Sequence, residues 1–199
     1  MHISEGILSA PVLLVGAGVT ITGIALGLKG MEEEKIPRTA LLSSAFFVAS
    51  LIHVPVGPSS AHLILNGLVG ILLGWTAFPA ILLGLVLQAI LFQFGGLTTL
   101  GVNTMNMALP AVVCYFLFHR WIKKKKNIIT VISGFLAGFL SVFLSGILVA
   151  FSLIFTGEYF KEVARLIVVV HLPIMFIEGG VTAFILLFLK KVKPEILEG

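Results

Sequence analysis

Charge is the scarce ingredient of this sequence. Asp, Glu, Lys and Arg make up 11% of its 199 residues, against about a quarter in a typical soluble domain. From Thr39 to His119 none of the four occurs. An apolar run of ~20 residues crosses the ~30 Å hydrocarbon core of a bilayer, so this stretch alone holds roughly four crossings. Water is excluded as the solvent for most of the surface. Cysteine is nearly absent as well. Cys114 is the single one and lies in an apolar span, which excludes a disulfide framework or a thiolate metal cluster and leaves a small core residue. The sequence has no Gly-rich phosphate loop followed by Lys-Ser/Thr, so it does not hydrolyse ATP by the P-loop route. It also lacks HExxH, and no helical Asp or Glu lies beside the histidines discussed below to act as a base, which argues against an intramembrane metalloenzyme.

What is present is apolar: 58% of residues are hydrophobic. Within the uncharged stretch, helix boundaries come from the Pro55–Ser60, Trp75–Pro79 and Gly95–Asn106 clusters of Pro, Gly and polar residues. The pattern predicts an all-α integral membrane protein, a single domain over 1–199. Its spans fall near 9–28, 39–55, 60–75, 79–95, 105–120, 128–156 and 165–189. The sixth is long enough to call for tilt or a kink. The net charge of +4 does not imply nucleic acid, because the basic residues sit in short clusters beside apolar spans. Lys29, Lys35 and Arg38, then Arg120 and Lys123–Lys126, then Lys190, Lys191 and Lys193 all fall on one side if there are seven spans; Lys161 and Arg165 fall on the other. The positive-inside rule then puts the C-terminus in the cytoplasm and the N-terminus outside, in a multi-pass protein of the inner (plasma) membrane. No basic region or small-residue cleavage site marks a removable signal peptide, so the first residues are expected to be retained. Gly16, Gly18, Gly23 and Gly27 in the first span allow close helix approach, either within the chain or against a membrane partner.

This topology brings two of the five histidines to the outer mouth. His119 sits beside Arg120 and Trp121 as an interfacial anchor, and His53 has a structural place near the outer end of the second span. His2 and His62 differ. The Met1 α-amine, the His2 backbone nitrogen and the His2 imidazole form fused chelate rings around one metal, and the His62 imidazole supplies a fourth nitrogen. Four nitrogens near a plane suit Ni(II) or Cu(II), with Co(II) a less committed guest. The amine has a reference pKa of ~7.7–8.0, so affinity falls in acid as protons compete. From spacing alone, an incidental histidine at an ordinary terminus remains the other reading.

The opening MHISEG, the segment VPVGPSSAHLILNG around His62, and FGGLTTLGVNTMNMALP from Phe94 to Pro110 resemble the CbiM/NikM family. Its members are the substrate-capturing membrane (S) subunits of energy-coupling-factor importers for cobalt and nickel. The resemblance covers nearly the whole chain with three motifs in order. It implies Met1, His2 and His62 as metal ligands, Ni(II) or Co(II) as the transported substrate, and no organic cofactor. It also implies a membrane coupling (T) subunit and ATPase (A) subunits as partners, with a small accessory membrane subunit in some systems. The GGLTTLGVN loop resembles the family segment that packs over the N-terminal peptide. Gly95 and Gly96 permit close approach, while Thr98, Thr99 and Asn103 offer hydrogen bonds that orient ligands; Ser60, beside the His62 turn, belongs with this group. A simple re-entrant turn satisfied by the same side chains is the alternative. Met105 and Met107 read as packing.

Glu178 is the one acidic residue well inside a span, and His171 lies seven positions earlier on the same helix face. Ionisable groups at that depth pair with a partner or mark function. The favoured reading is a buried network that fixes the helices. The other makes His171 and Glu178 the ion path of a stand-alone carrier or channel.

Overall fold

Long runs of Leu, Ile, Val and Phe with Gly and Ala on one side build a helical bundle. The computed structural model describes residues 2–56, 59–123 and 126–198, with side chains for all of these except 53–60 and 198. Its elements are α1 (Ala10–Lys29), α2 (Ile36–Ala49), β1 (His53–Val56), β2 (Ser59–His62), α3 (Asn66–Leu73), α4 (Ala77–Phe92), α5 (Leu100–Ile122), α6 (Asn127–Thr156), α7 (Lys161–Val192) and the short α8 (Glu195–Glu198). Among the described residues, five segments are long and apolar enough to cross a membrane: Ala10–Lys29, Asn66–Phe92, Leu100–Ile122, Asn127–Thr156 and Glu158–Val192. The pattern-based count of seven spans is thus not reproduced as seven helices of crossing length: α2 is shorter, and Asn66–Phe92 divides into α3 and α4.

That division is at Gly74. Its φ of 57° is a left-handed value that glycine adopts without a side-chain clash, and it ends α3 after eight residues. Arg38, at the start of α2, donates to the Leu72 carbonyl at the end of α3. Gln88, late in α4, instead meets Ser50 just past the end of α2. The chain therefore reverses between α3 and α4.

The sequence pattern expects a helix over 60–75, but its first part is something else. Residues 53–56 and 59–62 pair as an antiparallel hairpin, with His53 opposite His62 in the register, and the chain turns through 63–65 before α3 begins. Leu65 takes a left-handed φ of 54°. Proline at position 55 lacks an N–H donor, and hydropathy says nothing about which backbone groups find partners. Irregular backbone at this depth persists where protein supplies the missing hydrogen bonds. The hairpin pairs with itself, and α7 supplies an acceptor for two amides of the turn that follows it, as described below.

α5 is the central post, in contact with α1, α3, α4 and α6, while α6 and α7 form the most extensive pair. Gly16, Gly23 and Gly27 of α1 pack inside the chain. A Cβ on Gly16 would meet Val102 of α5, and one on Gly23 would meet the Phe78 ring of α4, whereas Gly18 has open space. α3 sits closest of all to α5: a Cβ on Gly70 would lie 2.2 Å from the Ala111 carbonyl oxygen. Neither partner is a flexible side chain, so Gly70→Ala is expected to cost about 1–3 kcal/mol through forced separation of the helices. A lowered thermal midpoint in detergent checks this, and an unchanged midpoint would show that α3 has room to move. α6 runs as one unbroken helix about 45 Å long.

The bundle has two distinct ends. At one, Arg38 caps α3, while Lys190 of α7 donates to Thr130 of α6 and to the Ile122 carbonyl of α5. At the other, Ser9 just before α1 bonds to Thr156 at the end of α6. Residues 2–5 and the 93–99 loop gather at this second end.

Candidate metal site

The N-terminal peptide is folded into the bundle. His2 is 3% exposed and Ile3 fully buried. Buried backbone polar groups require partners, and the start of α5 provides them. The Asn103 side-chain amide pairs with the Ile3 main chain in both directions: Ile3 N–H donates to Asn103 Oδ1 at 2.9 Å, and Asn103 Nδ2 donates to the Ile3 carbonyl at 3.1 Å. Thr99 Oγ1 donates to the same carbonyl at 2.9 Å. Thr98 donates to the Glu5 carboxylate through its hydroxyl and its backbone N–H. Gly95, at φ 78°, lies where a Cβ would be 3.0 Å from Asn103 Nδ2 and 3.4 Å from His2 Cβ. A Cβ on Gly96 would strike Glu5. The 95–103 segment is a cradle whose floor is glycine and whose hydrogen bonds come from Thr98, Thr99 and Asn103.

The His2 and His62 rings lie side by side within this end of the bundle, with centroids 4.4 Å apart and planes at 15°. Phe94 stacks beyond His2 at 6.2 Å. The His62 Nδ1 is 2.7 Å from the Leu63 carbonyl oxygen. A carbonyl only accepts, so Nδ1 carries the proton and the neutral ring keeps its lone pair on Nε2. That Nε2 is buried without a hydrogen-bond partner among the described residues. A buried nitrogen with a free lone pair, its tautomer fixed by a backbone carbonyl, is the chemistry of a metal-ligating imidazole. The parallel stack keeps the in-plane lone pairs from converging, so a shared metal requires the rings to turn relative to each other.

Other residues singled out in the sequence lie as follows. Met1 falls outside the described residues, as do the side chains of His53 and Ser60. His119 packs against Tyr115 at 4.4 Å on α5, near the opposite end of the bundle. Met107 and Cys114 are buried in the core. His171 is fully buried on α7, with Nδ1 2.6 Å from the Ile167 carbonyl one turn earlier. Glu178, also fully buried, reaches the turn after His62 rather than a basic partner: its Oε1 accepts the N–H groups of Ile64 and Leu65, the latter at 2.9 Å. Among the described residues, no three His, Cys, Asp or Glu side chains come together as a metal cluster. Glu5 and Phe94 were missed at the sequence level. Sequence carried no signal for Glu5, since an exposed carboxylate near the start of the chain is satisfied by water as readily as by Thr98.

Comparison with known proteins decides the family. The CbiM family model, described as the cobalt uptake substrate-specific transmembrane region, matches residues 2–196. The chain belongs to the CbiM family. Among its relatives, a Haemophilus influenzae protein named "Putative metal transport protein" is 42% identical over 99% of this chain and 97% of its own length. The Sorangium cellulosum cobalt transport protein CbiM is 30% identical over 100% and 95% respectively. The crystal structure of a transition metal transporter superposes with a TM-score of 0.77 at 26% identity, over 96% of this chain and 93% of that one. With five apolar segments of crossing length, this CbiM-family chain is a multi-pass membrane protein of a metal-transport family, and no enzymatic activity is indicated among these relatives.

Proposed function

We propose that the chain is the substrate-capturing subunit of an energy-coupling-factor importer, binding Ni(II) or Co(II) from outside the cell through the Met1 α-amine, the His2 backbone nitrogen and imidazole, and His62 Nε2. The observation that carries this reading is the docking of residues 2–5 into the 95–103 cradle, which places the His2 ring against His62. Among the described residues, side chains alone do not assemble a full coordination sphere, and the main-chain nitrogens of the first two residues are the donors that the chelate adds. Relatives named for cobalt and for nickel both occur, including the Archaeoglobus fulgidus protein named "Putative fused nickel transport protein NikMN".

Sidedness follows from the two ends of the bundle. The end where Arg38 and Lys190 anchor helix termini is the basic one, and the positive-inside rule turns it toward the cytoplasm. The end holding His2 and His62 then faces outward, in the inner (plasma) membrane. This arrangement amounts to seven helices counting α2 and the short α3, in a single domain. Without a nucleotide site, the chain depends for uphill import on partner ATPase (A) subunits and a membrane coupling (T) subunit, with a small accessory membrane subunit where one is present.

Reconstitution tests this. In proteoliposomes holding the chain together with its coupling and ATPase subunits, radiolabelled nickel or cobalt is expected to accumulate against a gradient only when ATP is supplied, and not when His62 is replaced by Ala. Concentrative uptake by the chain alone, without nucleotide, would instead assign transport to a stand-alone carrier.

A further inference from the structure

α3 begins at Asn66 with the exposed donors that every helix N-terminus leaves, yet no side chain of its own first residues caps it. The turn that leads into it is held from a distant part of the chain. Glu178, 114 positions away from Ile64 and on α7, offers one oxygen to both the Ile64 and Leu65 N–H groups. Leu65 itself sits at φ 54°, a conformation that a leucine holds only where its surroundings over-determine it. The residue whose carbonyl precedes this pair is Leu63, and that carbonyl accepts the Nδ1–H of His62. One unbroken line of contacts thus runs from the Glu178 carboxyl, through two backbone amides and one carbonyl, to the imidazole of His62. The second carboxyl oxygen, Oε2, is buried with no hydrogen-bond partner among the described residues. The group is therefore committed to the turn through Oε1 alone.

We infer that Glu178 is a positioning residue for His62: by accepting both amides it fixes the 63–65 turn, and the turn fixes the tautomer and direction of the imidazole. This rests on the proposal that His62 is a metal ligand. What Glu178 contributes is two acceptor bonds at one place, not a charge delivered to the metal. An amide of the same length also accepts through its oxygen. A carboxylate one methylene shorter keeps the charge but withdraws the acceptor from the turn. The two substitutions therefore separate positioning from an electrostatic or direct ligand role.

The test uses the full chain in detergent with its native N-terminus and Cu(II) as a spectroscopic probe, counting nitrogen ligands by electron paramagnetic resonance, alongside Ni(II) titration. Wild type and Glu178→Gln are expected to show four nitrogens with affinities within a few-fold of each other. Glu178→Asp and the volume-matched Glu178→Met are expected to lose the fourth nitrogen and roughly tenfold or more in affinity, the usual cost of removing a group that orients a ligand. His62→Ala sets the three-nitrogen reference. The inference is overturned if Asp preserves the four-nitrogen spectrum while Gln loses it, or if Met leaves the spectrum unchanged. An unchanged spectrum in His62→Ala would defeat the ligand assignment itself, whatever the Glu178 variants do. Should Glu178→Met not yield folded protein, the order of Gln and Asp decides alone.

Discussion

A single residue added ahead of Met1 is expected to weaken Ni(II) binding by roughly a thousandfold or more, about 4 kcal/mol. Extension turns the terminal amine into an amide, whose nitrogen lone pair is delocalised and no longer a ready donor. It also breaks the smaller of the two fused chelate rings. The position tolerates no substitute arrangement, because the following residues are already fixed: His2 is 3% exposed, and Ile3 is fully buried and bonded at both its N–H and its carbonyl. Acetylation of the terminus acts in the same way with less bulk, so the pair of modifications separates chemistry from crowding. Isothermal titration of the native, extended and acetylated proteins measures the effect. Equal affinity for the three would sink the terminal chelate.

Asn103→Leu is expected to weaken binding strongly without removing any proposed ligand. It removes the amide that answers both polar groups of Ile3 and leaves only Thr99 on the carbonyl. A buried backbone donor left without its partner costs about 1–3 kcal/mol, and with the carbonyl weakened too the peptide gains by leaving the cradle for water. Metal affinity is expected to fall by about 3 kcal/mol, roughly a hundredfold, while helix content stays unchanged. Asn103→Asp still accepts from Ile3 N–H but no longer donates to the carbonyl, so it is expected to fall between wild type and Leu. Affinity within twofold of wild type for Asn103→Leu would show that docking does not organise the site.

The parts of this molecule that were legible in its sequence are those set by local composition. An uncharged stretch from Thr39 to His119 announces a bilayer, and glycine with threonine at 95–99 announces a close backbone approach. The long helices α5, α6 and α7 begin and end near the polar clusters that mark them. The hairpin and the eight-residue α3 were not legible, since Val54, Val56, Ala61 and Ile64 suit a helix in lipid as well as a strand. The turn between them is held by a carboxyl on α7, more than a hundred positions later. The direction in which the α1 glycines face was likewise open, because a small-residue stripe does not name its partner; Val102 and Phe78 do. At the site, His2 and His62 were visible as chemistry, but the Glu5–Thr98 anchor is tertiary.

The distant anchor of the turn before α3 also has a consequence for how the protein is made. A chain leaves the ribosome N-terminus first, so residues 53–65 emerge long before α7 does. Until Glu178 arrives, the amides of Ile64 and Leu65 have no protein acceptor, and hydrocarbon offers none. The segment after α2 must therefore wait at the aqueous edge of the insertion machinery, or in a provisional conformation, until the last long helix is released. A nascent chain halted before residue 178 would carry His62, but not yet the carboxyl that holds the turn after it. Completion of synthesis and completion of this end of the bundle become the same event.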